Sequence, residues 1–137
     1  MSAATEFQTA IYNELLASDD LRALVGDRIF DGVPSDADYP CVTFGPAYET
    51  DQNAECITAS EQTIQVDVWS RDQGKKWPCK EIVSAVKDAL HDVHMTIADP
   101  YAVSSAYVRL ARVMDDPDGT TAHGVLTVSA VVTKVNG

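Results

Sequence analysis

Between Thr5 and Ala17 apolar side chains recur at Phe7, Ala10, Ile11 and Leu15, three and four residues apart, so they form one buried stripe on a helix. Thr5 stands where an N-cap oxygen is needed. Ser18-Asp19-Asp20 then offers fresh cap oxygens ahead of Leu21, Leu24 and Val25, and Gly26 suits the left-handed residue that commonly ends a helix. A short second helix should follow the first directly.

The period then changes. Two short strands are expected, residues 28–31 closed by Gly32 and Pro34, and residues 41–44 opened by Pro40 and stopped by Gly45-Pro46. Residues 46–54, with Glu49, Asp51, Gln52 and Asn53 and little to bury, should project as a mobile loop. Ile64, Val66 and Val68 alternate with Thr63, Gln65, Asp67 and Trp69, the two-residue period of a strand with one face on a core. After a polar, basic connection over residues 71–76, Pro78 fits the first turn of a helix whose stripe is Ile82, Val83, Val86, Ala89 and Leu90, ending near His91 to His94. The last third predicts a long hairpin, residues 104–114 and 123–135, around Asp115-Asp116-Pro117-Asp118-Gly119. Residues 125–132 are apolar on both faces, as in a central strand. These elements imply one α+β domain over residues 1–137: a small mixed or antiparallel sheet of four to five strands, with two main helices and one short helix on one face.

Charge narrows the functional classes. Ten basic against 21 acidic side chains give a net charge of −11, which opposes binding that neutralises DNA phosphates. The imbalance is uneven: eleven acids and two bases precede residue 61, net −9, and ten acids and eight bases follow, net −2. Three cysteines at unrelated spacings, with no charged and apolar leader at the start, predict a reduced product made in the cytoplasm. No apolar run approaches the roughly 20 residues that cross a bilayer as a helix.

Catalytic patterns are missing. His91 and His94 stand three apart at a helix end, but a zinc site wants at least one further ligand that the sequence does not place nearby. An EF-hand register with its glycine at Gly119 would put Met114 at the first ligand position, so turn chemistry accounts for the aspartates. No nucleophile elbow, cysteine-protease signature or phosphate-cradling loop is present, and neither a metal nor a cofactor is expected.

Three strings carry a further signal: Asp20-Leu21-Arg22-Ala23-Leu24-Val25-Gly26-Asp27-Arg28-Ile29-Phe30-Asp31-Gly32-Val33-Pro34, then Tyr39-Pro40-Cys41-Val42-Thr43-Phe44-Gly45, then Asp67-Val68-Trp69-Ser70-Arg71-Asp72-Gln73-Gly74. In this order and spacing, with Asp116-Pro117-Asp118-Gly119 and Gly124-Val125-Leu126 after them, the chain resembles the tail completion family of long-tailed bacteriophages and gene transfer agents. Trp77-Pro78-Cys79-Lys80 departs from the small residues usual at the start of the second long helix. The resemblance implies a structural virion protein: a tail terminator or head-to-tail joining subunit that forms a ring, usually a hexamer. Such a ring caps the tail tube and meets the head connector, and DNA passes through its lumen without specific binding. A soluble host adaptor, monomeric or dimeric, and an enzyme of unknown type are the competing classes.

A ring larger than a dimer uses a head-to-tail contact and so needs two different, complementary surfaces. Arg71, Lys75, Lys76 and Lys80 are the dense positive cluster, and Glu49, Asp51 and Glu55 are the acidic segment that could meet it, with Trp77 as an apolar anchor. The alternative is that the lysines are a solvated face and Trp77 belongs to the core.

Overall fold

The computed structural model describes residues 2–135. In chain order they form α1 (Ala3–Ala17), α2 (Asp19–Val25), β1 (Ile29–Phe30), β2 (Cys41–Asp51), β3 (Ile57–Arg71), α3 (Trp77–Leu90), β4 (Tyr101–Val103), β5 (Tyr107–Asp115) and β6 (Thr121–Val135). The α+β class is as the periodicities predict. Ser2, rather than Thr5, caps α1, its hydroxyl accepting the Thr5 amide at 3.1 Å. Ser18 caps α2 by accepting the Leu21 amide at 3.2 Å, and Gly26 closes that helix at φ +63°.

The strands make one six-stranded sheet in the order β1-β2-β3-β6-β4, with β5 also on β6. β1 and β2 are parallel; β2–β3, β3–β6 and the pairs of β6 with β4 and β5 are antiparallel. β6 is the central strand that its two-sided apolar run implies. One edge of it is taken by β3 along fifteen paired residues, and the other is shared by β5 and, further on, β4.

The core fills the space between the helices and one face of the sheet. Phe7, Ile11 and Leu15 of α1, Leu21 and Val25 of α2, and Ile82, Val86 and Leu90 of α3 bury against Val66, Val68, Leu126 and Val128. Residues paired across a ladder share a face, so Val42, Val68 and Gly124 lie together under α3. At Gly124 the helix comes so near that an added Cβ would stand 2.5 Å from Val83 Cγ2.

The segment expected to project as a loop does not. Residues 47–51 continue β2 and pair with residues 60–64 of β3, after a bulge between Phe44 and Ala47. Gly45 makes the bulge possible, because a Cβ there would lie 2.5 Å from Asp67 Oδ2. The polar composition of this stretch reports an exposed edge strand, not an absence of structure, and Tyr48 and Thr50 are residue types that strands favour. Only residues 52–56 connect the two strands.

Candidate assembly surfaces

On the sheet face away from the helices, Asp67 accepts from His123 Nε2 at 2.7 Å and from Gln65 Nε2 at 2.9 Å, both at Oδ1. The His123 ring stacks on Trp69 at 3.8 Å between centroids, and the Trp69 indole donates to Thr43 Oγ1 at 3.0 Å. A buried carboxylate is expensive without donors, and these two offset its desolvation while tying β3 to β6. The His123–Asp67 contact clasps β6 to β3 at a point 56 residues apart in the chain. Cys41 is buried and its thiol is pushed up by that burial; Cys79 is pushed up to about 11 for the same reason, which leaves both as thiols at neutral pH.

The remaining sites of interest are equally structural. His91 Nδ1 accepts the Val108 amide at 3.1 Å, and its ring meets Tyr107 edge-on, so this imidazole joins α3 to β5. Among the described residues no three His, Cys, Asp or Glu side chains converge as a metal site would need. Asp118 accepts the Thr121 hydroxyl at 2.6 Å and the Thr121 and Thr120 amides, and these bonds hold its carboxyl down at about 2. A hollow of about 590 Å³ opens between α1 and β1; Asp31 is the one carboxylate among its lining residues, and none of the hydroxyls of Thr5, Thr9 and Tyr12 bonds to it.

What the molecule does offer is two unlike exposed borders. β1 covers β2 only at Val42 and Thr43, so no strand in the described residues pairs with the outer side of residues 47–51. Glu49 and Asp51 pair with Gln62 and Ser60, which pair in turn with Ala130 and Val132 of the core; both acids therefore stand on the helix-bearing face. Tyr48 points the other way and is 63% exposed. Glu55 lies in the connection beyond them.

The opposite border is basic. β5 pairs with β6 on one side only, and Leu110 on it is 48% exposed. Beside β5 runs a groove of about 320 Å³ whose helix wall is Lys80, Val83, Ser84 and Lys87 of α3, residues spaced to share one helix face. Trp77, at the start of α3, is 64% exposed and so is not part of the core. Lys75, Lys80 and Lys87 have no ion-pair partner among the described residues. Two of the cations predicted for an interface are occupied within the chain: Arg71 lies over the Tyr39 ring at 4.1 Å, donates to Thr121 Oγ1 at 3.0 Å and comes within 3.9 Å of Asp118, while Lys76 pairs with Asp115 at 3.1 Å.

The acidic and basic segments thus do not meet within one chain. Ser60, opposite Asp51, and Arg71 are eleven residues apart on β3, about 36 Å at roughly 3.3 Å per strand residue. The sequence pattern points to the loop cations but misses Lys87 and the β5 border. A helix-face reading finds Lys80 and Lys87 on one stripe, yet only the strand order reveals that this stripe overlooks a free edge.

Three comparisons bear on this geometry. The family model described as tail completion protein gp17 matches residues 9–133. A chain in the virion of a native gene transfer agent particle superposes with a TM-score of 0.87 at 21% identity, covering 97% of this chain and 99% of that one. The bacteriophage SPP1 gp17 protein superposes with a TM-score of 0.62 at 23% identity, covering 98% of this chain and 92% of that one. No curated protein matches.

Proposed function

Because this chain belongs to the tail completion protein gp17 family, and so is a structural component of a virion tail, we propose that it acts as one subunit of a closed ring, a hexamer, that caps the tail tube and joins it to the head connector. The observation that carries the ring is the pair of unlike borders: an acidic strand edge with Glu49 and Asp51 on one side of the sheet, and a basic border with Lys80 and an exposed Trp77 on the other. A head-to-tail contact repeated around an axis requires two such different surfaces, whereas a two-fold dimer would be served by one self-complementary patch.

The subunit boundary is drawn from the acidic set Glu49, Asp51 and Glu55 on one chain and, on the next, the segment Arg71, Lys75, Lys76, Trp77 and Lys80. Within that segment Lys75, Lys80 and Trp77 do the direct contacting, because Arg71 and Lys76 are engaged by Asp118, Thr121 and Asp115 of their own chain. The net charge of −11 fits a lumen through which DNA slides, since like charge disfavours adhesion to phosphates. The role is assembly without catalysis.

Removing the gene from a strain that produces the particles tests this reading. DNA-filled heads and separate, uncapped tails are expected in electron micrographs, with attachment restored when the gene is supplied in trans. Joined, functional particles made without the chain would overturn it.

A further inference from the structure

Resting on that ring reading and deepening it, we propose that neighbouring copies join by strand addition: residues 48–51 of β2 in one copy pair antiparallel with the free outer edge of β5, residues 111–114, in the next, with Glu49 opposite Val113 and Asp51 opposite Ala111, and both acids settle against Lys80 and Lys87.

The strand directions require antiparallel pairing. The steps from β2 to β3, β3 to β6 and β6 to β5 are all antiparallel, so β2 and β5 run in opposite directions within one chain. Rotation about an axis inclined to the strands by well under a right angle carries a copy sideways without reversing it, and the inclination takes up the offset along β6 between Glu49, level with Ala130, and Arg112, level with Val125. The incoming β2 therefore arrives antiparallel to β5, and the alternation of the sheet continues across the boundary.

The faces agree as well. Ala111 pairs with Leu126 and Val113 with Gly124, so these β5 side chains lie on the core face, where α3 stands. In a sheet that continues unbroken, Glu49 and Asp51 lie on that same face, and the cations overlooking it from α3 are Lys80 and Lys87. A shift of one residue would send both acids to the opposite face, so the match is specific to this facing. On that opposite face Tyr48 comes to the side of the sheet that also bears the exposed Leu110, which gives the contact an apolar component.

Both edges would otherwise be a hazard. A free strand edge of five residues invites uncontrolled pairing, and the usual protections are charge, bulges and cover. Here residues 47–51 carry only acids, whereas Arg112 on β5 and Lys80 and Lys87 beside it are cations, which disfavours an edge meeting its own kind and favours the edge of a second copy. The occupant is therefore another molecule of this chain.

Two variants test the pairing without altering buried residues. One carries Glu49→Lys and Asp51→Lys, so both its borders are basic; the other carries Lys80→Glu and Lys87→Glu, so both are acidic. At low salt each alone should self-associate at least roughly tenfold more weakly than the parent in sedimentation velocity, and an equimolar mixture should restore the parent's oligomer by alternating the two. Circular dichroism confirms that each variant is folded. If the parent assembles and both variants assemble equally well, the strand-edge pairing is wrong while the ring reading stands. Weakened variants that do not rescue each other also overturn it, because a partner other than a second copy then uses one border. A parent that remains monomeric at every concentration removes the ring reading, and this pairing with it.

Discussion

Leu90→Ala lowers the free energy of unfolding by about 2–5 kcal/mol, the range for truncating a fully buried leucine in a core that relaxes only in part. Leu90 has no exposed surface and belongs to the apolar stripe that α3 presents to the sheet, with Ile82, Val83 and Val86. It is the last residue of the helix, where the chain turns at His91 toward the segment whose Val93 bridges to Ala106. A cavity there loosens both the helix end and its junction with β5. The measurement is urea unfolding at fixed protomer concentration, since any oligomer makes apparent stability depend on concentration. A loss below about 0.5 kcal/mol would contradict the burial of this side chain, because deleting buried leucine atoms costs several times that.

Gly124→Ala is the second large effect, and its sign is opposite to what strand propensity suggests. Glycine in a strand interior ordinarily weakens it, so alanine would be expected to help. Here the new Cβ would stand 2.5 Å from Val83 Cγ2, 3.1 Å from Cys79 Sγ and 3.2 Å from Val68 Cβ. Overpacking of this kind costs about 1–3 kcal/mol. Val83→Ala removes the closest of these atoms, so the double variant should lose less stability than the two single losses combined, by about 0.5–3 kcal/mol of coupling. Strict additivity in the same unfolding assay would show that α3 does not press on β6 at this point.

Much of the fold is legible in the chain because burial leaves a periodic trace. The stripe from Phe7 to Leu15, the alternation through Ile64, Val66 and Val68, and the turn at Pro117-Asp118-Gly119 each correspond to an observed element. The continuation of β2 is not legible, for a physical reason: an edge strand that buries nothing keeps no apolar alternation, and its partner residues Ser60, Glu61 and Gln62 are polar too. β4, three residues long, is too short to show a period.

The interface residues divide in the same way. Sequence can cluster Lys75, Lys76 and Lys80, and can flag Trp77 as either anchor or core; it is exposure at 64% that removes the second option. That Arg71 and Lys76 are held by Asp118 and Asp115 depends on how the β5–β6 hairpin folds back beside the start of α3, a contact across about forty residues of chain or more. Likewise, Asp67 and His123 stand 56 residues apart and meet only because β3 and β6 pair in one register.

The central claim is that copies of this chain close into a ring through two different borders, and the mass of the purified protein in solution tests it most directly. Light scattering on a sizing column is expected to give one species near six times the 14.8 kDa chain, about 89 kDa. A single peak at the mass of one chain or of two, unchanged as the protein is concentrated, would contradict it.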